Sequence, residues 1–216
     1  MACFFSLLSA TLLVSTVLAK YDCTPENQAK AKECYDRFLS QLYINVVSPP
    51  SYDTYIHDLG QIIHNYGPGG VRVICGYTEG VDRCLGALKN TTCTKYEAWQ
   101  KMYGMDETNA TQYAFDFPVR DYECKNAAAF FPNWYCLFDV PYQHSANLTQ
   151  CVSNFHGMLQ HGFGTCQAST AFIQCNTAVY GAYCGAKVKP FVCQSNEIAM
   201  DYTEDDACEL PNCSSL

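Results

Sequence analysis

Fifteen cysteines in 216 residues are the side chains of this sequence with the most evident chemistry. Three uses compete for them: oxidation in pairs, metal ligation and nucleophilic attack. Structural zinc sites take their cysteines in pairs two to four residues apart. The tightest pair here, Cys208 and Cys213, is five apart. A catalytic thiol is expected as a cysteine left over from pairing. The start of the chain bears on that count. Phe4–Leu18 is apolar or small and carries no charge, and it ends in Val17-Leu18-Ala19. This is the pattern of a cleaved secretory leader, 1–19, and it is shorter than the roughly 20 apolar residues a membrane span needs. Cleavage after Ala19 removes Cys3 and leaves an even set: Cys23, Cys34, Cys75, Cys84, Cys93, Cys124, Cys136, Cys151, Cys166, Cys175, Cys184, Cys193, Cys208 and Cys213. In a secreted chain such a set reads as a framework of up to seven disulfides held in an oxidising compartment. The pairing itself is not readable, since fourteen cysteines allow roughly 10⁵ combinations.

Other reactive residue types are present without the spacing their chemistry requires. His57-Asp58 lies within a helical pattern, but no cysteine flanks it, and the glycine run Gly67–Gly70 follows it rather than preceding it. Secreted phospholipases have the opposite arrangement, so the pair reads as a solvated helix face. His156 and His161 are five apart with no Glu between them. Helical zinc ligands prefer a spacing of four. No Gly-x-Ser-x-Gly elbow occurs. Paired carboxylates of the glycosidase kind meet in space rather than in sequence; Glu33, Glu79, Glu97 and Glu123 are possible members, and nothing singles out two of them. Glu197, Asp201, Glu204, Asp205, Asp206 and Glu209 make an acidic tail that lacks the spacing and central glycine of a calcium loop. The expectation is no catalytic site, no metal and no cofactor.

The formal charge of −8 disfavours nucleic acid and anionic membrane surfaces, both of which call for clustered Lys and Arg. No apolar run after the leader approaches membrane-spanning length, so no membrane insertion is expected once it is removed. Four Asn-x-Ser/Thr sequons, at Asn90, Asn109, Asn147 and Asn212, mark candidate glycan positions. The first three sit among polar residues; Asn212 has Cys213 as its middle residue and lies near the C-terminus. The 16 tyrosines suit either an interface or a thin disulfide-laced core.

The elements that must position these residues follow helical periods. Thr24-Pro25-Glu26 combines an N-cap hydroxyl, a proline at the first helical position and an acid at the positive end of the dipole. Ala31, Cys34, Phe38 and Leu42 follow at spacings of three to four. Tyr52, Tyr55, Ile56, Leu59, Ile62, Ile63 and Tyr66 form the cleanest apolar stripe, stopped by Gly67-Pro68-Gly69-Gly70. Leu148, Cys151, Val152, Phe155, Leu159 and Phe163 form a second. Further helices are expected near 79–88, 95–103, 122–130, 147–160, 169–184 and 195–203. Thr94 and Glu97 have capping-box spacing, and Val71–Ile74 is the one expected strand.

Cysteine spacing also suggests a duplication. Cys75, Cys84 and Cys93 recur as Cys175, Cys184 and Cys193, offset by 100, and Cys23 and Cys34 are matched by Cys124 and Cys136. On this reading 20–119 and 120–216 are two related helical units with five framework cysteines each, the second having gained Cys151, Cys166, Cys208 and Cys213. Five is odd, so at least one bridge must leave each set. Laid out in this order, the cysteines resemble those of small secreted all-helical cysteine-rich domains of nematodes: a family of unknown function and, second, the chondroitin-proteoglycan-type domain. The residues carrying the resemblance are Cys23 with Cys34, the trio Cys75, Cys84 and Cys93, Cys151 with Cys166, and Cys175 with Cys184-Gly185. It implies an extracellular, non-enzymatic protein and supplies no binding residues. Chondroitin is attached at Ser-Gly, and no serine here precedes a glycine.

The sequence therefore reads as all-α, short helices cross-linked by disulfides in what look like two related lobes. The function it favours is a secreted glycoprotein acting as a non-enzymatic binding or structural module for an extracellular protein or glycan. A secreted hydrolase with an unrecognised carboxylate site and a helical carrier of lipid or another small ligand are the alternatives.

Overall fold

A computed structural model describes residues 23–203 and 208–213 of the chain. The leader and Glu204, Asp205 and Asp206 of the acidic tail lie outside the described residues. The described residues are mostly helical, with no strand among them. In chain order the helices are α1 (Pro25–Gln41), α2 (Tyr52–Tyr66), α3 (Pro68–Leu85), α4 (Tyr96–Tyr103), α5 (Glu107–Lys125), α6 (Ala127–Phe130), α7 (Trp134–Gln143), α8 (Ser145–Gln160), α9 (Thr165–Cys184) and α10 (Lys189–Thr203). Short 3₁₀ turns interrupt them at Gly86–Asn90, Thr92–Thr94, Phe131–Asn133 and Ala186–Val188.

Seven disulfides close every described cysteine: Cys23–Cys93, Cys34–Cys84, Cys75–Cys124, Cys136–Cys184, Cys151–Cys175, Cys166–Cys208 and Cys193–Cys213. Two compact units result, and each is discontinuous. The first combines the described chain up to Tyr52 with Glu79–Ala114; the second combines Asp53–Thr78 with the chain from Phe115 onward. They differ from the halves suggested by cysteine spacing. Cys75–Cys124 is the bridge between those halves that the odd count requires, and it lies wholly within the second unit. Only one bridge repeats at matched positions: Cys34–Cys84 and Cys136–Cys184 join equivalent cysteines across separations of 50 and 48.

In the first unit, α1 starts as its residues dictate. Thr24 is the N-cap, its hydroxyl accepting from the Asn27 N–H at 3.2 Å, and Pro25 opens the first turn. Ala31, Cys34, Tyr35, Phe38 and Leu39 form its buried face. They belong to a core centred on Trp99, which is fully buried against Tyr35, Tyr103 and Tyr113 at ring-centroid distances of 4.4, 5.1 and 5.2 Å. Tyr35, Tyr103 and Tyr113 thus serve packing. The capping box expected at Thr94 and Glu97 does not form. Thr94 sits in a 3₁₀ turn with its hydroxyl donating to the Lys89 and Thr91 carbonyls, and the N-cap of α4 is Lys95, without a side-chain cap.

In the second unit, the glycine run is a corner rather than a long stop. Gly67 takes a left-handed φ of +55°, and Pro68 immediately opens α3. A Cβ on Gly70 would come 2.7 Å from the Ile62 carbonyl oxygen, so only glycine lets the two backbones approach. The strand expected over Val71–Ile74 is the first turn of α3. Its buried positions, Val71, Ile74 and Thr78, continue at Val81 and Leu85, and spacings of three and four belong to a helix. Downstream, α9 packs against α7, α8 and α10. Ile173 lies against the Cys193–Cys213 bridge, with Met200 and Leu210 beside it. Most of α5 and all of α7 lie outside the expected helices, and each has a proline within it, Pro118 and Pro141. An interior proline costs a helix a hydrogen bond and about 3 kcal/mol. Both are nevertheless accommodated, with buried Tyr113, Ala114 and Phe117 on α5 and Leu137 and Val140 on α7.

Candidate functional site

With all fourteen described cysteines in disulfides, none is available as a thiolate nucleophile or zinc ligand. His57 and Asp58 are exposed on α2. His156 and His161 are exposed on and just beyond α8, where the His161 Nδ1 lies 2.6 Å from the Gly157 carbonyl oxygen. His161 thus meets a terminal carbonyl of its own helix. Among the described residues no cluster of His, Cys, Asp or Glu is placed to hold a metal ion.

Three of the four singled-out glutamates are surface groups. Glu33 pairs with Arg37 and Glu79 with Arg83, one turn apart on their helices, and Glu97 is exposed in the first turn of α4. Glu123 is different. It lies half-buried on α5 in the second unit, next to Cys124. Two turns before it, Asp116 is 4 % exposed and takes both oxygens into contact with Arg120. The Arg120 Nε donates at 3.1 Å and Nη2 at 2.5 Å, a bidentate pair that spacing of four on one helix allows. From α2, the Tyr55 hydroxyl donates to the same Asp116 Oδ2 at 2.9 Å, and the Arg120 guanidinium lies 5.9 Å from the Tyr55 ring centroid.

The electrostatics follow from this packing. Burial alone would lower Arg120; the Asp116 charge beside it overrides that and holds the guanidinium protonated. Burial pushes the Glu123 carboxyl up to about 7, with Arg120 opposing and Asp116 adding to the rise. Burial, and then the Glu123 charge, push Tyr180 on α9 up to about 12. The second unit therefore contains a saturated ion pair with a proton-holding carboxyl beside it. This is where two carboxylates come together, and only Glu123 was among the candidates. Asp116, Arg120 and Tyr55 carried one legible signal, the Asp-x-x-x-Arg spacing on what is now seen to be a helix.

The sequons divide by environment. Asn90, Asn147 and Asn212 are exposed. Asn109 is half-buried and structurally engaged: its Nδ2 donates to Asp106 at 2.6 Å and its Oδ1 accepts from the Tyr52 N–H at 2.8 Å. In the tail, Glu197 accepts from Gln194, and burial together with the Asp201 charge raises its pKa. No helix of the described residues is long and apolar enough to cross a membrane. Compared with protein families, with proteins of described function and with solved structures, the chain matches none. The class defined by fold and site is a disulfide-rich all-helical protein.

Proposed function

We propose that this chain is a secreted glycoprotein whose rigid helical scaffold binds an extracellular protein or glycan and performs no catalysis. The observation that carries this reading is the closure of all fourteen described cysteines into seven bridges. Each bridge typically contributes about 2–4 kcal/mol, and such a framework persists only where thiols are oxidised. The leader 1–19 supplies the route, and exposed Asn90 and Asn147 are the favoured glycan positions. The resemblance of the cysteine order to secreted nematode domains is part of the same proposal. Excess negative charge argues against a nucleic-acid partner.

Mass measurement of the secreted protein tests the framework: reduction and alkylation should modify fourteen cysteines, and without reduction none. Several alkylated cysteines before reduction overturn it. Removal of N-glycans should lower the mass, with deamidation marks at Asn90 and Asn147. Capture of a reproducible partner by the intact protein from the fluid into which it is secreted tests the binding reading.

One observation favours the hydrolase alternative, a carboxyl near 7 beside a second carboxylate. Both Asp116 oxygens are already occupied by Arg120 and Tyr55, which leaves Glu123 without a free partner for a two-carboxylate mechanism. A glycoside-hydrolysing activity lost in Glu123→Gln with the fold retained would decide for the hydrolase.

A further inference from the structure

The loop that leaves α1 has features of a display element. Among the described residues Tyr43 is the one non-glycine with positive φ, at 60°, while Gly67, Gly86, Gly104, Gly162 and Gly185 take the other such positions. The local geometry is that of a Schellman cap: the Tyr43 N–H donates to the Ser40 carbonyl and the Ile44 N–H to the Leu39 carbonyl. Glycine is the favoured residue at that site, because a Cβ in the left-handed region is strained. The tyrosine gains nothing from the fold in return, since its side chain is 98 % exposed. Val47, four residues on, is 84 % exposed, and these are the most exposed large apolar side chains described. No charged residue occurs from Ser40 to Tyr52.

The loop is nonetheless held firmly. Ile44 is buried, and the Asn45 Oδ1 accepts from the Val47 N–H at 2.9 Å. Pro49-Pro50 stiffen the return, where the Pro50 carbonyl accepts from the Tyr113 hydroxyl at 3.1 Å and the Tyr52 N–H donates to Asn109 at 2.8 Å. Such a loop pays little ordering entropy on binding. Tyrosine is among the residue types enriched at interface hot spots, and the exposed valine four residues on adds apolar area. A protruding apolar tip is buried by a cleft rather than by a flat surface. Asp106, whose carboxylate is held below the usual range by hydrogen bonds from Asn109, marks the loop's second anchor as negative, in a chain of net charge −8.

We propose that the Tyr43–Val47 loop is the recognition element of this protein, inserting Tyr43 into an apolar, basic-rimmed cleft of another secreted protein. This rests on the binding-module reading above. To test it, the intact secreted protein is prepared with p-benzoylphenylalanine in place of Tyr43 and, as a control, in place of Tyr66, which is 72 % exposed in the second unit. Both are irradiated in the native extracellular fluid. The expected result is one adduct at position 43 and none at 66. Excess wild type should compete it away, Tyr43→Gly and Val47→Ser at least about tenfold less well. Its yield should fall as salt rises. A glycine at a left-handed cap does not endanger folding, and thermal melting of Tyr43→Gly verifies this. No adduct at 43, equal competition by the variants, or a yield unchanged by salt overturns the proposal. So does an adduct with a second copy of the chain, or Tyr43-dependent sedimentation with phosphatidylcholine vesicles. If wild type captures a partner that Tyr43→Gly captures equally, only the loop assignment falls; if wild type captures none, the binding reading falls with it.

Discussion

In the first unit, Lys32 and Asp36 lie one turn apart on α1 and bond at 2.8 Å, the Tyr103 hydroxyl donates to Asp36 at 3.0 Å, and the Lys32 ammonium sits 4.6 Å from the Tyr103 ring centroid. In the second unit, Arg120, Asp116 and Tyr55 repeat this arrangement: a base one turn from an acid, and a tyrosine from another helix that donates to the acid and faces the base. The depth differs. The side chains of Lys32 and Asp36 are 33 % and 30 % exposed, those of Arg120 and Asp116 11 % and 5 %. The deeper site uses Arg, whose fork satisfies both carboxylate oxygens where water cannot reach them. The shallower site makes do with Lys. The third carboxyl, Glu123, is perturbed only beside the deep pair. Depth, not the recipe, separates an ordinary surface pair from a site where protonation near neutrality is coupled to the fold.

The largest expected effect concerns the bridges rather than the charges. Cys34–Cys84 and Cys136–Cys184 close loops of nearly equal length, so the chain-entropy model assigns each about 4 kcal/mol. Replacing either pair by alanine should lower the unfolding free energy of its own unit by that amount, read from a lower denaturant midpoint. A cost confined to one bridge would mean that the matched positions no longer play matched roles.

The ion pairs come next. Asp116→Ala strands the Arg120 guanidinium in a buried site and should cost about 3 kcal/mol or more. Asp36→Ala, at a site that water reaches, should cost about 1 kcal/mol or less. Urea denaturation of both variants measures the ratio, and similar losses would break the comparison. Replacing Asp116 and Arg120 together with leucine and methionine should recover most of the loss, because a buried pair repays its desolvation poorly.

Glu123 converts depth into pH dependence. Its pKa is about 7 in the folded chain against an ordinary 4.5. Below pH 4.5 both folded and unfolded chains hold the proton, and the group contributes no difference. Between 4.5 and 7 the unfolded chain releases it and the folded chain keeps it, so stability falls as pH rises. Above 7 the loss is complete, about 2–3 kcal/mol once residual solvent contact is allowed for. Glu123→Gln should flatten this slope and leave the protein more stable than wild type at pH 8, in melts run from pH 4 to 8.

How much of this was legible depends on whether the signal was local. The start of α1 and the stripe of α2 are each stated within a few residues, and they survive in the fold. Val71–Ile74 misled because four residues are too few to separate a strand from one helical turn. The prolines at 118 and 141 hid two helices that tertiary packing stabilises. The Asp116 site was illegible for a deeper reason: Tyr55 lies 61 residues from its partner, and no spacing records that contact. Nor does sequence record burial, which is what sets Glu123 apart from Glu33, Glu79 and Glu97.

The smallest expected effect has the opposite sign. In the first unit α1 and α4 each end in a left-handed residue, α1 at Tyr43 with φ 60° and α4 at Gly104 with φ 66°. At Gly104, whose N–H donates to Gln100 at 2.8 Å, glycine relieves the strain, and Gly104→Ala should cost about 1 kcal/mol. At Tyr43 the chain accepts that strain for a side chain that packs against nothing. Tyr43→Gly should therefore stabilise the protein, by somewhat less than 1 kcal/mol, because glycine also loosens the unfolded chain. Calorimetric melting of the two variants in parallel should move the transition in opposite directions. If Tyr43→Gly destabilises instead, the tyrosine serves the fold after all, and its exposure loses its meaning as a sign of binding.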